Sequence, residues 1–108
     1  TARNDDMIIT SGYNVAGPEV EETLLSHPAV FECAVVACPD KDRGSIVQAH
    51  IVLNENFIGN EFIIKELQDH VKNTIAPYKY PRSIIFKKFL PKTKTGKIQR
   101  FLLRENSN

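Results

Sequence analysis

Lys97 follows Gly96 in the run Leu90-Pro91-Lys92-Thr93-Lys94-Thr95-Gly96-Lys97-Ile98-Gln99-Arg100, where packing does not explain the residue choices. A lysine on a glycine-hinged loop flanked by hydroxyls can stabilise negative charge that builds on phosphate oxygens. The Gly-Lys pair invites comparison with a nucleotide-binding P-loop and fails it. Ile98 stands where Ser or Thr is required, and no glycine sits five residues before Gly96. A second segment, Ala76-Pro77-Tyr78-Lys79-Tyr80-Pro81-Arg82, is stiffened by two prolines and presents Lys79 and Arg82. It suits a phosphate-contacting edge or a rigid connector. A third runs from Arg3 to Asn14, with Gly12 interrupting a β-prone stretch. Glycine there marks either close approach by a ligand or a β-bulge.

A phosphate-bearing partner also suits the charge distribution. The chain has a formal net charge of +1, yet residues 1–69 hold twelve acids against Arg3, Lys41, Arg43 and Lys65, a net of −8. Residues 70–108 hold ten Lys and Arg against Glu105, a net of +9. Such a block is either a solvated lysine face or a site for nucleic acid, a nucleoside triphosphate or the phosphates of coenzyme A. Cys33 and Cys38 are five apart, which fits neither a CxxC pair nor a zinc knuckle, so both are read as reduced core thiols of a cytoplasmic protein. No metal site is expected. No apolar run approaches the roughly 20 residues that span a bilayer, and no signal peptide is visible. At 108 residues the chain has room for one domain, and its first residue, Thr1, suggests a piece of something larger.

The elements that must position these segments follow from pattern. Met7–Ser11 and Tyr13–Val15 are β-prone, and Ala16–Gly17 looks like the closing turn of a hairpin. Pro18 opens a helix whose first turn holds Glu19, Glu21 and Glu22, with Val20, Leu24 and Leu25 as its buried stripe. Pro28 ends it. Phe31–Cys38 and Ile46–Leu53 read as strands, the second with Val47, Ala49, Ile51 and Leu53 on one face and Gln48 and His50 on the other. Asn60 caps a helix striped by Ile63, Leu67, Val71 and Ile75. Ser83–Phe89 is a last strand, followed by a loop at 90–96 and a short helix carrying Ile98, Phe101 and Leu102. The sum is an α+β fold: a sheet of about three strands packed with two to three helices and preceded by a β-hairpin.

Together the three segments resemble the C-terminal domain of the acyl-adenylate-forming superfamily, which includes acyl-CoA synthetases, peptide-synthetase adenylation domains and firefly-type luciferases. The opening matches R-x-D-D-x-I…S-G-Y…P-x-E-V-E at Arg3, Asp5, Asp6, Ile8, Ser11, Gly12, Tyr13, Pro18, Glu19, Val20 and Glu21. The ending matches L-P-K-T-x-x-G-K-I-x-R at Leu90 to Thr93, Gly96 to Ile98 and Arg100. His27-Pro28-Ala29-Val30, Pro39-Asp40 and Arg43-Gly44 fall between them in the family's order, so the resemblance spans about Arg3 to Arg104. Within the superfamily, Ala76–Arg82 looks like the medium-chain and aryl branch. Gly12–Pro18 with Gly96–Phe101 is similar to benzoate- and 2-aminobenzoate-CoA ligases.

The resemblance implies a single mobile domain over 1–108, part of a longer ligase and inactive alone, with a hinge and hairpin at 1–17 and a lysine loop and terminal helix at 90–104. Its partner would be an N-terminal adenylation domain of the same chain. The substrates would be ATP, coenzyme A and a medium-chain or aromatic carboxylic acid, with Mg2+ entering with ATP and held by the other domain. Lys97 would be the catalytic lysine of acyl-adenylate formation, and Arg3 would contact the nucleotide near the ribose. Asp5 would be the hinge. After rotation, Ser11, Gly12 and Tyr13 would line the pantetheine tunnel, with Arg43, Lys72, Tyr80, Pro81 and Arg82 near the CoA nucleotide. Asn14 stands where many relatives have arginine, which removes a phosphate contact. A peptide-synthetase domain acting on a carrier protein is the nearest alternative, and Ala76–Arg82 argues mildly against it. A basic nucleic-acid-binding module would lack the interleaved aromatics that stack bases and would leave the Leu90–Lys97 pattern unexplained; no nucleic-acid partner is expected.

Overall fold

The computed structural model describes residues 7–105. Strands β1 (Met7–Thr10) and β2 (Tyr13–Ala16) pair antiparallel with Thr10 opposite Tyr13, which leaves Ser11 and Gly12 as a two-residue turn. Their φ values of 50° and 82° are the positive pair that a type I′ hairpin turn demands. The expected closure at Ala16–Gly17 is therefore corrected: the chain reverses at Gly12, and Gly17 begins helix α1 (Gly17–Leu25). The same geometry replaces the bulge reading of Gly12. Pro18 does sit in the first turn, and Val20 and Leu24 are buried, but Leu25 is 48% exposed and leaves the stripe.

Strand β3 (Val30–Asp40) is longer than its sequence pattern implied, as is β4 (Gly44–Leu53), its antiparallel partner. Polar turn chemistry extends both: the Asp40 carboxylate accepts from the Asp42 and Arg43 amides at 3.1 and 2.9 Å, closing the hairpin. Helix α2 (Glu61–Thr74) begins as predicted, with the Asn60 side chain accepting from the Ile63 amide at 3.0 Å. It carries the chain across to β5 (Ser83–Phe86), which runs parallel to β4, so the sheet order is β3-β4-β5. The last strand stops before the predicted Phe89 because that residue is 76% exposed while Leu90 dives into the core.

Both faces of the sheet are covered. On one, Cys33, Val35, Val47, Ala49 and Ile51 meet Val20 and Leu24 of α1, Ile63, Leu67 and Val71 of α2, and Ile8 and Val15 of the β1–β2 hairpin. On the other, Ala34, Val36 and Val52 meet Leu90, Leu103 and the half-buried Ile98. Truncating a core leucine such as Leu67 or Leu103 would cost about 2–5 kcal/mol. Gln48 and His50, alternating with the first set, are themselves buried. The terminal helix α3 (Arg100–Glu105) differs from expectation: Ile98 precedes it, Phe101 is 48% exposed, and Leu103 is the buried residue. The α+β architecture stands as expected from sequence.

Candidate functional site

Lys97 sits on a tight hairpin closed by a bridge between Lys92 and Ile98. The Thr93 amide donates to the Lys97 carbonyl at 2.8 Å, the Lys97 amide donates to Thr93 Oγ1 at 3.1 Å, and the Gln99 amide donates to the Pro91 carbonyl at 2.9 Å. Gly96 reverses the chain at φ 88°, in the left-handed region where other residues are strained. The threonines that flank Lys97 in sequence therefore serve the turn, with Thr93 and Thr95 hydroxyls 3.1 Å apart. The Lys97 side chain is exposed, and among the described residues no carboxylate pairs with its ammonium.

Two of the basic residues nearby, Lys92 and Arg100, are engaged, whereas Lys94 at the turn is exposed. Lys92 pairs with Glu32 at 2.9 Å. Arg100 grips Glu21 through both guanidinium arms, Nε at 2.7 Å, and Glu21 also accepts the Val35 amide of the edge strand β3 at 2.8 Å. Neither Glu21 nor Glu32 was singled out from sequence as a partner of this loop. Glu32 had left a signal as the one charge inside an apolar strand. Glu21 read as one more acid near a helix start.

A second group of predicted residues gathers around the β1–β2 turn. The Ser11 amide donates to the Arg43 carbonyl at 3.0 Å, and Arg43 Nη1 donates to Ser11 Oγ at 2.9 Å. Tyr13 stacks on Tyr78 with ring centres 4.6 Å apart. Lys79, in the 3-10 turn Pro77–Lys79, donates to Glu19 at 2.7 Å, and that hydrogen bond raises its pKa above the ordinary lysine value. Further along, the Lys72 ammonium lies 4.3 Å from the Tyr80 ring centre and the Arg82 guanidinium 4.9 Å. The structure thus brings Ser11, Gly12, Tyr13 and Arg43 together, and separately Lys72, Tyr80 and Arg82. Pro81, between Tyr80 and Arg82, has a fully buried ring, and its carbonyl accepts from Gln68 at 2.9 Å. Arg3 and Asp5 lie outside the described residues.

The two groups lie on different sides of the sheet. The β1–β2 hairpin is rooted in the core with α1 and α2, and the Lys97 hairpin is rooted through Leu90, Ile98 and Leu103 on the opposite face. A groove of about 610 Å³ holds none of the predicted residues. It lies between α2 and the α1–β3 connection, where His27 meets Glu66 at 2.6 Å and His70 meets Ser26 at 2.9 Å, polar contacts that join the two elements. Among the described residues no group of His, Cys, Asp or Glu is placed to hold a metal, and no helix is long and apolar enough to cross a membrane. Cys33 is a free thiol, and burial first, and then the Glu21 charge, pushes it up to about 12. Cys38 is only half-buried, a correction to its reading as a core residue.

Comparison with known proteins places this arrangement. The chain is 58% identical over 104 residues to the mitochondrial acyl-coenzyme A synthetase ACSM1 of Mus musculus, covering 94% of this chain and 18% of the relative. It is 54% identical over 104 residues to the acyl-CoA ligase YtcI of Bacillus subtilis, covering 96% and 20%. Among solved structures it superposes on an acyl-CoA synthetase of Brucella canis with a TM-score of 0.94 at 48% identity, covering 98% of this chain and 20% of that one. An anthranilate CoA ligase, AuaEII, solved with anthranoyl-AMP, gives 0.89 at 48% identity, covering 98% and 20%. The chain spans about a fifth of the length of each. Residues 19–97, well over half of it, match the AMP-binding enzyme C-terminal domain, and with relatives this similar the chain belongs to that family.

Proposed function

We propose that this chain is the C-terminal lid of an AMP-forming carboxylate–CoA ligase, and that Lys97 is the catalytic lysine of its first half-reaction. In that step a carboxylate attacks the α-phosphorus of ATP and pyrophosphate leaves. Charge builds on the phosphate oxygens, and a fixed cation there stabilises the transition state. The observation that carries the reading is an exposed ammonium, without a carboxylate partner among the described residues, just after the glycine turn of a hydrogen-bonded hairpin; Lys94 shares that exposure, and the motif ending at Arg100 selects Lys97. Its neighbours Lys92 and Arg100 are held by Glu32 and Glu21.

In the second half-reaction the CoA thiol attacks the acyl carbon, its proton is lost, and AMP leaves. Ser11, Gly12 and Tyr13 line the pantetheine path in this reading, and Arg43, Lys72, Tyr80 and Arg82 meet the CoA nucleotide. Support comes from the grouping of Ser11, Gly12, Tyr13 and Arg43 at one turn and, separately, of Lys72 and Arg82 over the half-buried Tyr80 ring. Arg3 is assigned to the nucleotide and Asp5 to the hinge. Mg2+ enters with ATP and belongs to the N-terminal domain, since this domain supplies no cluster of ligands among its described residues. The acid is medium-chain or aromatic, as the name of the anthranilate ligase relative favours, and the protein works in the cytoplasm.

The test is AMP release by the full-length protein with ATP, CoA and a panel of medium-chain and aromatic carboxylates. CoA-dependent AMP release with at least one of them is expected. Acyl transfer to a carrier protein in place of CoA, or no adenylate from any acid, would contradict the proposal.

A further inference from the structure

The hairpin that carries Lys97 is fastened to the rest of the domain by one ion pair on each leg. Lys92, on the first leg, pairs with Glu32 of β3 at 2.9 Å. Arg100, at the end of the second, holds Glu21 of α1 in a two-armed grip with Nε at 2.7 Å. Packing alone asks for neither acid. Glu32 interrupts an apolar strand, and Glu21 is only 8% exposed, where an unpaired carboxylate would be strongly disfavoured. Glu21 also takes the Val35 amide of the edge strand at 2.8 Å, so its position is set by the sheet before Arg100 reaches it.

The hydrogen bonds inside the hairpin, Thr93 to Lys97 and Gln99 to Pro91, fix its internal shape and leave its tilt against the sheet open. Leu90 and Leu103 beyond the two legs, and the half-buried Ile98 next to Lys97, are apolar anchors, and apolar contact is not directional. The planar guanidinium fork and the Lys92 pair are directional, and they lie three and five residues from Lys97. We propose that Glu21–Arg100 and Glu32–Lys92 are positioning pairs that set where the Lys97 ammonium stands when ATP is bound. This inference rests on the reading of Lys97 as the adenylation lysine.

The full-length protein is assayed for ATP–pyrophosphate exchange and, separately, for acyl transfer to CoA from added acyl-adenylate. Arg100→Lys keeps the charge and loses the fork; Lys92→Gln removes the more accessible pair and decides the matter if Arg100→Lys fails to fold. Exchange is expected to fall roughly ten- to a hundredfold in kcat, the scale of a displacement of about 1 Å, with the ATP KM within about twofold and transfer unchanged. Lys92→Glu is expected to lose exchange in the same way, and Glu32→Lys combined with it to restore most of the loss. Full exchange in Arg100→Lys and Lys92→Gln, alongside its loss in Lys97→Ala, overturns the positioning role and leaves the lysine reading standing. Equal loss in both half-reactions overturns it in favour of a general structural role. Exchange that survives in Lys97→Ala removes the reading and this inference together.

Discussion

Lys97, like Lys94 on the same hairpin, is a cation without a carboxylate partner among the described residues. Lys79, Lys92 and Arg100 are held by carboxylates, and Lys72 and Arg82 lie over the Tyr80 ring. An exposed ion pair contributes roughly 0–1 kcal/mol, whereas an ammonium about 4 Å from a charged oxygen in a partly screened site gains about 4 kcal/mol. The second figure corresponds to a factor on the order of a thousand in rate. His50 is the reverse case, a titratable group the chemistry does not use. It is 1% exposed, its Nε2 meets Gln48 at 2.9 Å, and its Nδ1 finds no partner among the described residues. Burial, helped by Lys87, pushes its pKa from 6.5 down to about 4. The unfolded chain therefore binds the extra proton between those values, and stability is lost as pH falls from about 6.5 towards 4, by roughly 3 kcal/mol in all. Urea unfolding across that window is expected to show the decline in this chain and a flatter profile in His50→Gln. An unchanged slope in the variant would assign the acid sensitivity to other groups.

Among the elements, what periodicity and capping chemistry govern was legible and what turn geometry governs was not. The Asn60 cap and the stripe of Ile63, Leu67 and Val71 depend on residues three and four apart, and they appear where expected. The β1–β2 turn depends on two φ values, and a glycine in a β-prone stretch does not reveal whether the chain bulges there or reverses. Gly96 marked a reversal, but its partner strand is a single bridge, too short for any alternation to show. That is why Ile98 was assigned to the helix and Leu103 was overlooked. The Lys97 loop was legible through its motif. Its fastening was not, because Glu21 and Arg100 are 79 residues apart. Gly12 invites a sharper test of the tunnel reading. Asparagine tolerates the left-handed conformation, so Gly12→Asn keeps the turn at a cost of about 1 kcal/mol or less while adding a side chain where a Cβ now meets nothing within 4 Å. Acyl transfer to CoA is expected to fall at least about tenfold in the full-length variant while ATP–pyrophosphate exchange holds. Equal activity in both steps would leave Gly12 as a turn residue only.

At the scale of the whole molecule, one small sheet carries two chemically distinct attachments on its two faces. The Lys97 hairpin is bound through Leu90, Ile98 and Leu103 on one side, and the Ser11–Gly12 turn belongs to the hairpin packed with α1 and α2 on the other. Under the function proposed here, a domain built this way would present one set of residues or the other to a facing partner domain as it turns, so that two half-reactions share one active centre. Of the basic residues behind the net charge of +9 over residues 70–108, Lys72, Lys79, Arg82, Lys92 and Arg100 are held by internal pairs or the Tyr80 ring, and Lys97 is among those that are not. The measurement that bears most directly on this account is the rate at which full-length Lys97→Ala makes acyl-CoA from supplied acyl-adenylate, compared with its rate from ATP and free acid. The account predicts transfer close to the wild-type rate and overall synthesis reduced on the order of a thousandfold. A variant that loses both activities to the same degree, or neither, would contradict it.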